Sequence, residues 1–263
     1  MPPVFGQAPE DISWQAAFAS GVAAHRVGDM PTARRWYLLA ANGSPDPAPP
    51  RMLALLLADA GELEDAERWA RRAIGLDATM AHSHAALGRV LLRADNVEAA
   101  ERAFATALAL DSDLSAARAG LRALGDLHLR RGRALFQARR WDDAAAALTA
   151  AARLLADSAD VWHDLATALH EGGHLSGAVA AYEQALALAA DRAETWHNLG
   201  SVRQGMRDID GALAAYARAY ALRPESFPRI AQELAAGNPG RVWLRAGDLR
   251  RTLVRLGPKP GRV

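Results

Sequence analysis

The sequence predicts an all-α protein built as a solenoid of antiparallel helix pairs, and three observations predict it. Small side chains recur at fixed spacing. Ala33, Ala66, Ala100, Ala144, Ala178 and Ala212 form one series, and Ala40, Ala73, Ala107, Ala151, Ala185 and Ala219 follow seven residues behind. Successive members lie 33, 34, 44, 34 and 34 residues apart, the spacing of stacked helix pairs. Hydrophobic residues make up 51% of the chain and aromatics only 6%, so the apolar surface is mostly Ala and Leu, both strong helix formers. A chain of this kind buries each repeat on its neighbours, has no single central core, and points to function by contact rather than by chemistry.

The elements follow in order. Six units run over 14–46, 47–80, 81–114, 125–158, 159–192 and 193–226, each reading as helix A, a tight turn, helix B and a short link. Turns are marked by Gly28-Asp29, Gly61-Glu62, Asp95-Asn96, Gly172-Gly173 and Arg207-Asp208, residue types that tolerate tight or left-handed backbone or begin a turn. The second unit opens on a proline-rich link of Pro45, Pro47, Pro49 and Pro50, and Pro224 stops the last helix B. In the sixth unit Ala212, Tyr216 and Ala219 are spaced by four and three, which sets them on one helix face. Gly or Ala at 88, 132, 166 and 200 on helix A, and the two alanine series on helix B, leave room for backbones to cross closely. Tyr37, Phe104, Leu148, Tyr182 and Tyr216 then fill the gap to the next helix, with Ala70 as the small exception.

The 44-residue interval inserts ten residues, 115–124, between the third and fourth units. They either lengthen helix A of the fourth unit or form a separate capping helix ending at Gly125; the lengthened or bent helix is the favoured reading. The expected organisation is a first block over 1–122, a second over 123–238, and a basic tail over 239–263. Residues 227–238 read as a closing helix, with Ser226 as N-cap, Pro228 in its first turn, Gly237 at its end, and Ile230 and Leu234 covering the last unit. Pro239-Gly240, a short RVWL segment and a basic helix around 247–256 follow, the last with Leu249, Leu253 and Leu256 as its apolar face. GPKPGRV is expected to be disordered.

Trp162 and Trp196, Leu199-Gly200, Tyr182 and Tyr216, the alanine series and Pro224 together resemble the tetratricopeptide repeat over residues 14–226. The last two units match best, and the fourth departs most, with His128 in place of Trp and Arg131 in place of Leu. The resemblance implies a right-handed superhelical solenoid of six repeats with C-terminal capping helices, whose A helices line a concave groove. It implies a non-catalytic scaffold or adaptor that takes a peptide or helix of a partner protein. Its mapping puts Arg26, Arg51, Arg89, Arg93, Arg130 and Arg133 on the lining of units one to four, with Phe18, Leu55, Leu92 and Phe136 between them. Units five and six contribute Asp160, His163, Asp164, Thr167, His170, Glu194, His197, Asn198, Ser201 and Gln204. The partner-binding set is therefore Arg89, Arg93, Arg130, Arg133, Phe136, His163, Thr167, His170, His197, Asn198, Ser201 and Gln204. Guanidinium groups grip carboxylates bidentately, which suits an acidic segment. Asn198 matches one position of the lysine–asparagine clamp by which some family members hold chaperone C-termini; the lysines are missing, which argues against that role.

Lys plus Arg is 31 and Asp plus Glu is 30, for a net charge of +1, which argues against a general nucleic-acid binder. The charge is uneven: residues 227–263 hold eight basic residues (Arg229, Arg241, Arg245, Arg250, Arg251, Arg255, Lys259 and Arg262) against Glu233 and Asp248. An arginine-lined nucleic-acid binder and a self-assembling structural protein are the rival readings. With no cysteine, disulfides, thiolate catalysis and cysteine zinc sites are excluded. The stretch MPPVFGQAPEDISW lacks the basic and apolar segments of a signal peptide, and no run of 18 apolar residues exists, so the expected compartment is the cytoplasm. His163, His170 and His197 share a face, but His163 and His170 are two turns, about 10.5 Å, apart, too far for one ion. They read as polar lining, with no metal and no cofactor. His82 and His84 face opposite sides of one turn. Neither a phosphate loop nor a nucleophile elbow is present, and Asp142-Asp143 and Glu62, Glu64 and Asp65 sit at helix starts, where they favour the dipole.

Overall fold

The computed structural model describes residues 12–237 and 246–258, and all of the regular structure among them is helical. The sequence features at 1–11, Pro239-Gly240, the RVWL segment and 259–263 lie outside the described residues. The chain divides into two compact units, Met1–Leu124 and Gly125–Val263. Unit 1 holds α1 (Trp14–Arg26), α2 (Met30–Gly43), α3 (Ala48–Asp59), α4 (Leu63–Leu76), α5 (Ala81–Arg93) and α6 (Val97–Leu110). Unit 2 holds α8 (Trp141–Leu154), α9 (Ala159–Glu171), α10 (Leu175–Leu188), α11 (Ala193–Gly205), α12 (Ile209–Leu222), α13 (Phe227–Gly237) and α14 (Ala246–Leu256). Between them α7 (Ser115–Gln137) runs unbroken for 23 residues, so residues 115–124 lengthen helix A of the fourth repeat.

Each pair packs as the small residues require. All twelve alanines of the two series are fully buried. A Cβ built on Gly88, Gly132 or Gly200 would lie 2.7, 2.6 or 2.7 Å from Phe104, Leu148 or Tyr216, so the partner ring or branch occupies the space a side chain would need. Those fillers are themselves buried, as are Tyr37, Tyr182 and Ala70. Interiors pack at crystal-like density, so a large residue on one helix demands a small one opposite.

The turn inside every pair passes through one residue in the left-handed region: Gly28, Gly61, Asp95, Arg139, Gly173 and Arg207, with φ between 56° and 85°. Glycine adopts this without a Cβ penalty, whereas Arg139 and Arg207 are held there by the flanking helices. The turn at Arg139 carries no sequence mark. Helix starts are capped at Ser13, Asp29 and Asp208, whose side chains accept from Ala16 N, Thr32 N and Gly211 N.

α7 serves both units. Its first part closes unit 1, with Ala117 and Leu124 buried and Gly120 set against the Phe104 ring. Its second part opens unit 2, with Gly125 against Leu155 and Gly132 against Leu148. At the far end of unit 2, a 3-10 turn over Pro224–Ser226 leads into α13. Ile230 and Leu234 of α13, with Leu249 and Leu253 of α14, are buried in one cluster with Ala212, Tyr216 and Ala219 of α12. Two expectations change here. Ser226 donates its hydroxyl to the Arg223 carbonyl instead of capping α13, and Leu256 is exposed, so the buried seam of α14 is narrower than expected. No helix among the described residues is long and apolar enough to cross a membrane.

Candidate functional site

The A helices are α1, α3 and α5 in unit 1, and the second part of α7, α9 and α11 in unit 2. Their outward positions form a separate face in each unit, and the two faces differ in charge and in how fully their polar groups are used.

On unit 1, half-buried Phe18, Val22, Leu55 and Leu92 alternate with Arg26, Arg51, Arg89 and Arg93. Arg89 donates to both carboxylate oxygens of Asp59, at 2.7 and 2.8 Å, and Arg93 reaches the same carboxylate at 3.4 Å. All three side chains are about half exposed. One carboxylate thus serves two guanidinium groups, and cationic charge is left over. Solvent-exposed pairs of this kind contribute little, roughly 0.2–1 kcal/mol, so an incoming carboxylate can exchange with Asp59 at small cost. Arg51 is the most desolvated cation of the face. Its Nε is buried without a hydrogen-bond partner, and burial lowers its pKa against the opposing pull of Asp46 and Tyr37. The Tyr37 hydroxyl lies 3.2 Å from His25 Nδ1.

On unit 2 the polar groups mostly hold one another. Arg133 donates to Asp164 at 2.6 Å, and Arg130 is exposed. Phe136 packs edge-on to Trp141, ring centres 4.8 Å apart. His163 Nδ1 lies 2.9 Å from Thr195 Oγ1, and burial holds its pKa below the usual histidine range, against the opposing charges of Asp164, Glu194 and Asp160. Thr167 Oγ1 donates to the His163 carbonyl at 2.9 Å and lies 3.1 Å from the Tyr182 hydroxyl, which Asn198 also meets. Ser201 meets the Tyr216 hydroxyl. Burial raises the pKa of both tyrosines, most strongly for Tyr216. His170 is half-buried on the same face.

His197 and Gln204 differ from the rest of the predicted lining, because α13 covers them. Buried His197 lies with Nε2 2.9 Å from Glu233 Oε1. Gln204 donates to the Glu233 carbonyl at 2.7 Å and accepts from Tyr216 at 3.1 Å. Tyr216 and Arg229 also donate to the Glu233 carboxylate, at 3.0 and 3.2 Å. Burial alone would raise the Glu233 pKa, but the hydrogen bonds from His197, Tyr216 and Arg229 and the charge of His197 bring it below the usual value. Glu233 was absent from the sequence-predicted set. A signal existed: Phe227 stands 34 residues after Ala193, so α13 begins where a seventh helix A is due.

Comparison with known proteins agrees with this repeat geometry. Three profiles of the tetratricopeptide repeat family match residues 135–201, 85–135 and 193–226. No curated protein matches the chain. Among solved structures, YrrB, described as a tetratricopeptide repeat protein with an unusual peptide-binding site, is 21% identical with a TM-score of 0.39, over 76% of this chain and 96% of its own. The TPR2AB domain of yeast Sti1 in its pHSP90 complex is 15% identical with a TM-score of 0.41, over 91% and 98%. MamA from Desulfovibrio magneticus RS-1 is 17% identical with a TM-score of 0.35, over 68% and 96%. Such scores support no transfer of partner or role. With the family profiles reaching from residue 85 to residue 226 over helix pairs of the matching period, the chain belongs to the tetratricopeptide repeat proteins.

Proposed function

We propose that this chain is a scaffold that binds an acidic, partly apolar segment of a partner protein on its A-helix faces, with no catalytic step of its own. The carrying observation is the sharing of one carboxylate, Asp59, between Arg89 and Arg93 beside half-buried Leu55 and Leu92. Such a surface offers unspent cationic charge and apolar area side by side. The half-desolvated Arg51 adds a third guanidinium on the same face. In unit 2, exposed Arg130, together with Arg133, Phe136 and His170, extends the partner-binding set. His163, Thr167, Asn198 and Ser201 shape that face through the tyrosine hydroxyls, while His197 and Gln204 act through α13. A preformed face of this kind binds without ordering itself, which leaves more of the contact energy for affinity.

The test pairs the full chain with Arg89→Ala/Arg93→Ala and Arg130→Ala/Arg133→Ala double variants in a pull-down, followed by anisotropy with the recovered partner's acidic segment. A charge-assisted bond is worth about 1.5–3 kcal/mol, so losing the Arg89 and Arg93 contacts should weaken binding by about tenfold or more. Equal recovery of the same partners by all three proteins would refute the arginine faces as the site. Salt separates the nucleic-acid rival: recovered nucleic acid whose affinity falls steeply with salt, in step with its phosphate contacts, would replace the peptide reading.

A further inference from the structure

We propose that unit 1 carries a second, separate binding site, on the side of α5 away from the arginine face: a pocket for a small aromatic acid, one ring bearing one carboxylate. The pocket has a volume of about 390 Å³ and lies among α4, α5 and α6. Ile74, His84, Leu87 and Ala99 line it, and Arg71 and Arg102 stand with them. At 3.6 residues per turn, His84 and Leu87 project roughly opposite to Arg89 and Arg93, so this pocket and the partner-binding face do not overlap.

His84 explains why the space exists. It stands sixteen residues before the buried Ala100, as Trp162 stands before Ala178 and Trp196 before Ala212. The three side chains also make the same anchor. Trp162 Nε1 donates to the Ala156 carbonyl at 3.0 Å, Trp196 Nε1 donates to the Ala190 carbonyl at 2.9 Å, and His84 Nε2 lies 2.9 Å from the Ala78 carbonyl. In each case the acceptor is six residues earlier. The third repeat therefore keeps the hydrogen bond of an indole and lacks the second ring.

The lining fixes the chemistry of the occupant. The open area is largely apolar, which favours a hydrocarbon ring over a sugar or a polar chain. The charged groups at the pocket are cations, Arg71 from α4 and Arg102 from α6. Arg71 already holds Glu67 at 2.5 Å, but the Arg71 side chain itself is exposed, so a second carboxylate can share it. A guanidinium fork selects a planar carboxylate. The volume lies at the small end of the range for ligand sites, as one ring with a short acidic arm needs.

The experiment is an amide NMR titration of the full chain with three probes: 3-phenylpropionate, its uncharged amide 3-phenylpropanamide, and the N-acetyl-Phe-Asp amide peptide. The wild type should show saturable shifts confined to α4, α5 and α6 with 3-phenylpropionate. His84→Trp should supply the missing ring from within, abolish that binding, and leave the fold intact. Ala99→Met fills the pocket independently, should His84→Trp fail to fold. Arg102→Ala should weaken the acid about tenfold, as the loss of one charge-assisted contact predicts, and leave 3-phenylpropanamide unchanged. No saturable shift in the wild type, or full binding by both filled variants, would overturn the proposal. So would a peptide that binds more than about tenfold tighter than the free acid, because the pocket would then belong to a protein segment.

Discussion

Phe104 is flanked by glycines on two helices, and the pair shows how far single methyl groups decide this packing. A Cβ on Gly88 of α5 would lie 2.7 Å from the ring, and one on Gly120 of α7 would lie 2.3 Å from it. The ring is almost wholly buried and has nowhere to retreat. Gly120→Ala should therefore destabilise the protein by about 1–3 kcal/mol through overpacking. Gly75, inside α4, offers the opposite case, since a Cβ there meets nothing within 4 Å. Gly75→Ala should stabilise by about 0.5–1 kcal/mol, because helical glycine loses more chain entropy than alanine. The same chemical change thus has opposite signs, and urea denaturation of the two variants checks it. Equal shifts of either sign would mean that Phe104 is not confined as described.

At the scale of the element, α13 depends on one carboxylate as well as on Ile230 and Leu234. His197, Tyr216 and Arg229 all converge on Glu233, whose pKa lies below its ordinary value. A carboxylate with a depressed folded pKa contributes stability that is fully present above its unfolded pKa, about 4.3. That contribution is lost as pH falls through the folded value. Amide protection of α13, corrected for intrinsic exchange, should hold from pH 7 to pH 5 and fall below about pH 4. Glu233→Gln should begin with less protection at pH 7, by about 1 kcal/mol, and show no such step. A step of the same size in both proteins would place the acid sensitivity elsewhere. The sequence makes the helices legible because a small side chain is the only solution where two backbones cross, so the alanine series marks each contact. The fate of His197 and Gln204 is marked only by the period that places Phe227 34 residues after Ala193, because their cover arrives from Glu233, 36 and 29 residues away, on a helix with none of the signature residues. The sequence hides the pocket at His84, since a missing ring leaves no mark until the neighbouring walls are known. The arginines of the unit 1 face are named only through the family resemblance, which assigns helix A its outward positions; their sharing of Asp59 is not legible even then, because a contact between α3 and α5 depends on how those helices stack.

At the scale of the whole molecule, energetics should follow the repeats and not one central core. Unit 1 is built around a cluster that includes Tyr37, Leu53 and Leu57, and unit 2 around one that includes Leu148, Leu165 and Tyr182. α7 contributes residues to both units. In such arrays stability is close to a sum of repeat and nearest-neighbour terms, so damage stays near its origin. Ala178 is fully buried in the unit 2 cluster, and Ala178→Leu should cost roughly 1–3 kcal/mol there by overpacking. Native-state hydrogen exchange should then show lowered protection across α9, α10 and the adjoining helices of unit 2. The amides of α1 to α4 should exchange as in the wild type, because local openings need not involve repeats that do not touch the lesion. Uniform loss of protection from α1 to α12 would mean that the chain unfolds as one cooperative body, and the reading of α7 as a shared helix between separately stabilised units would fall.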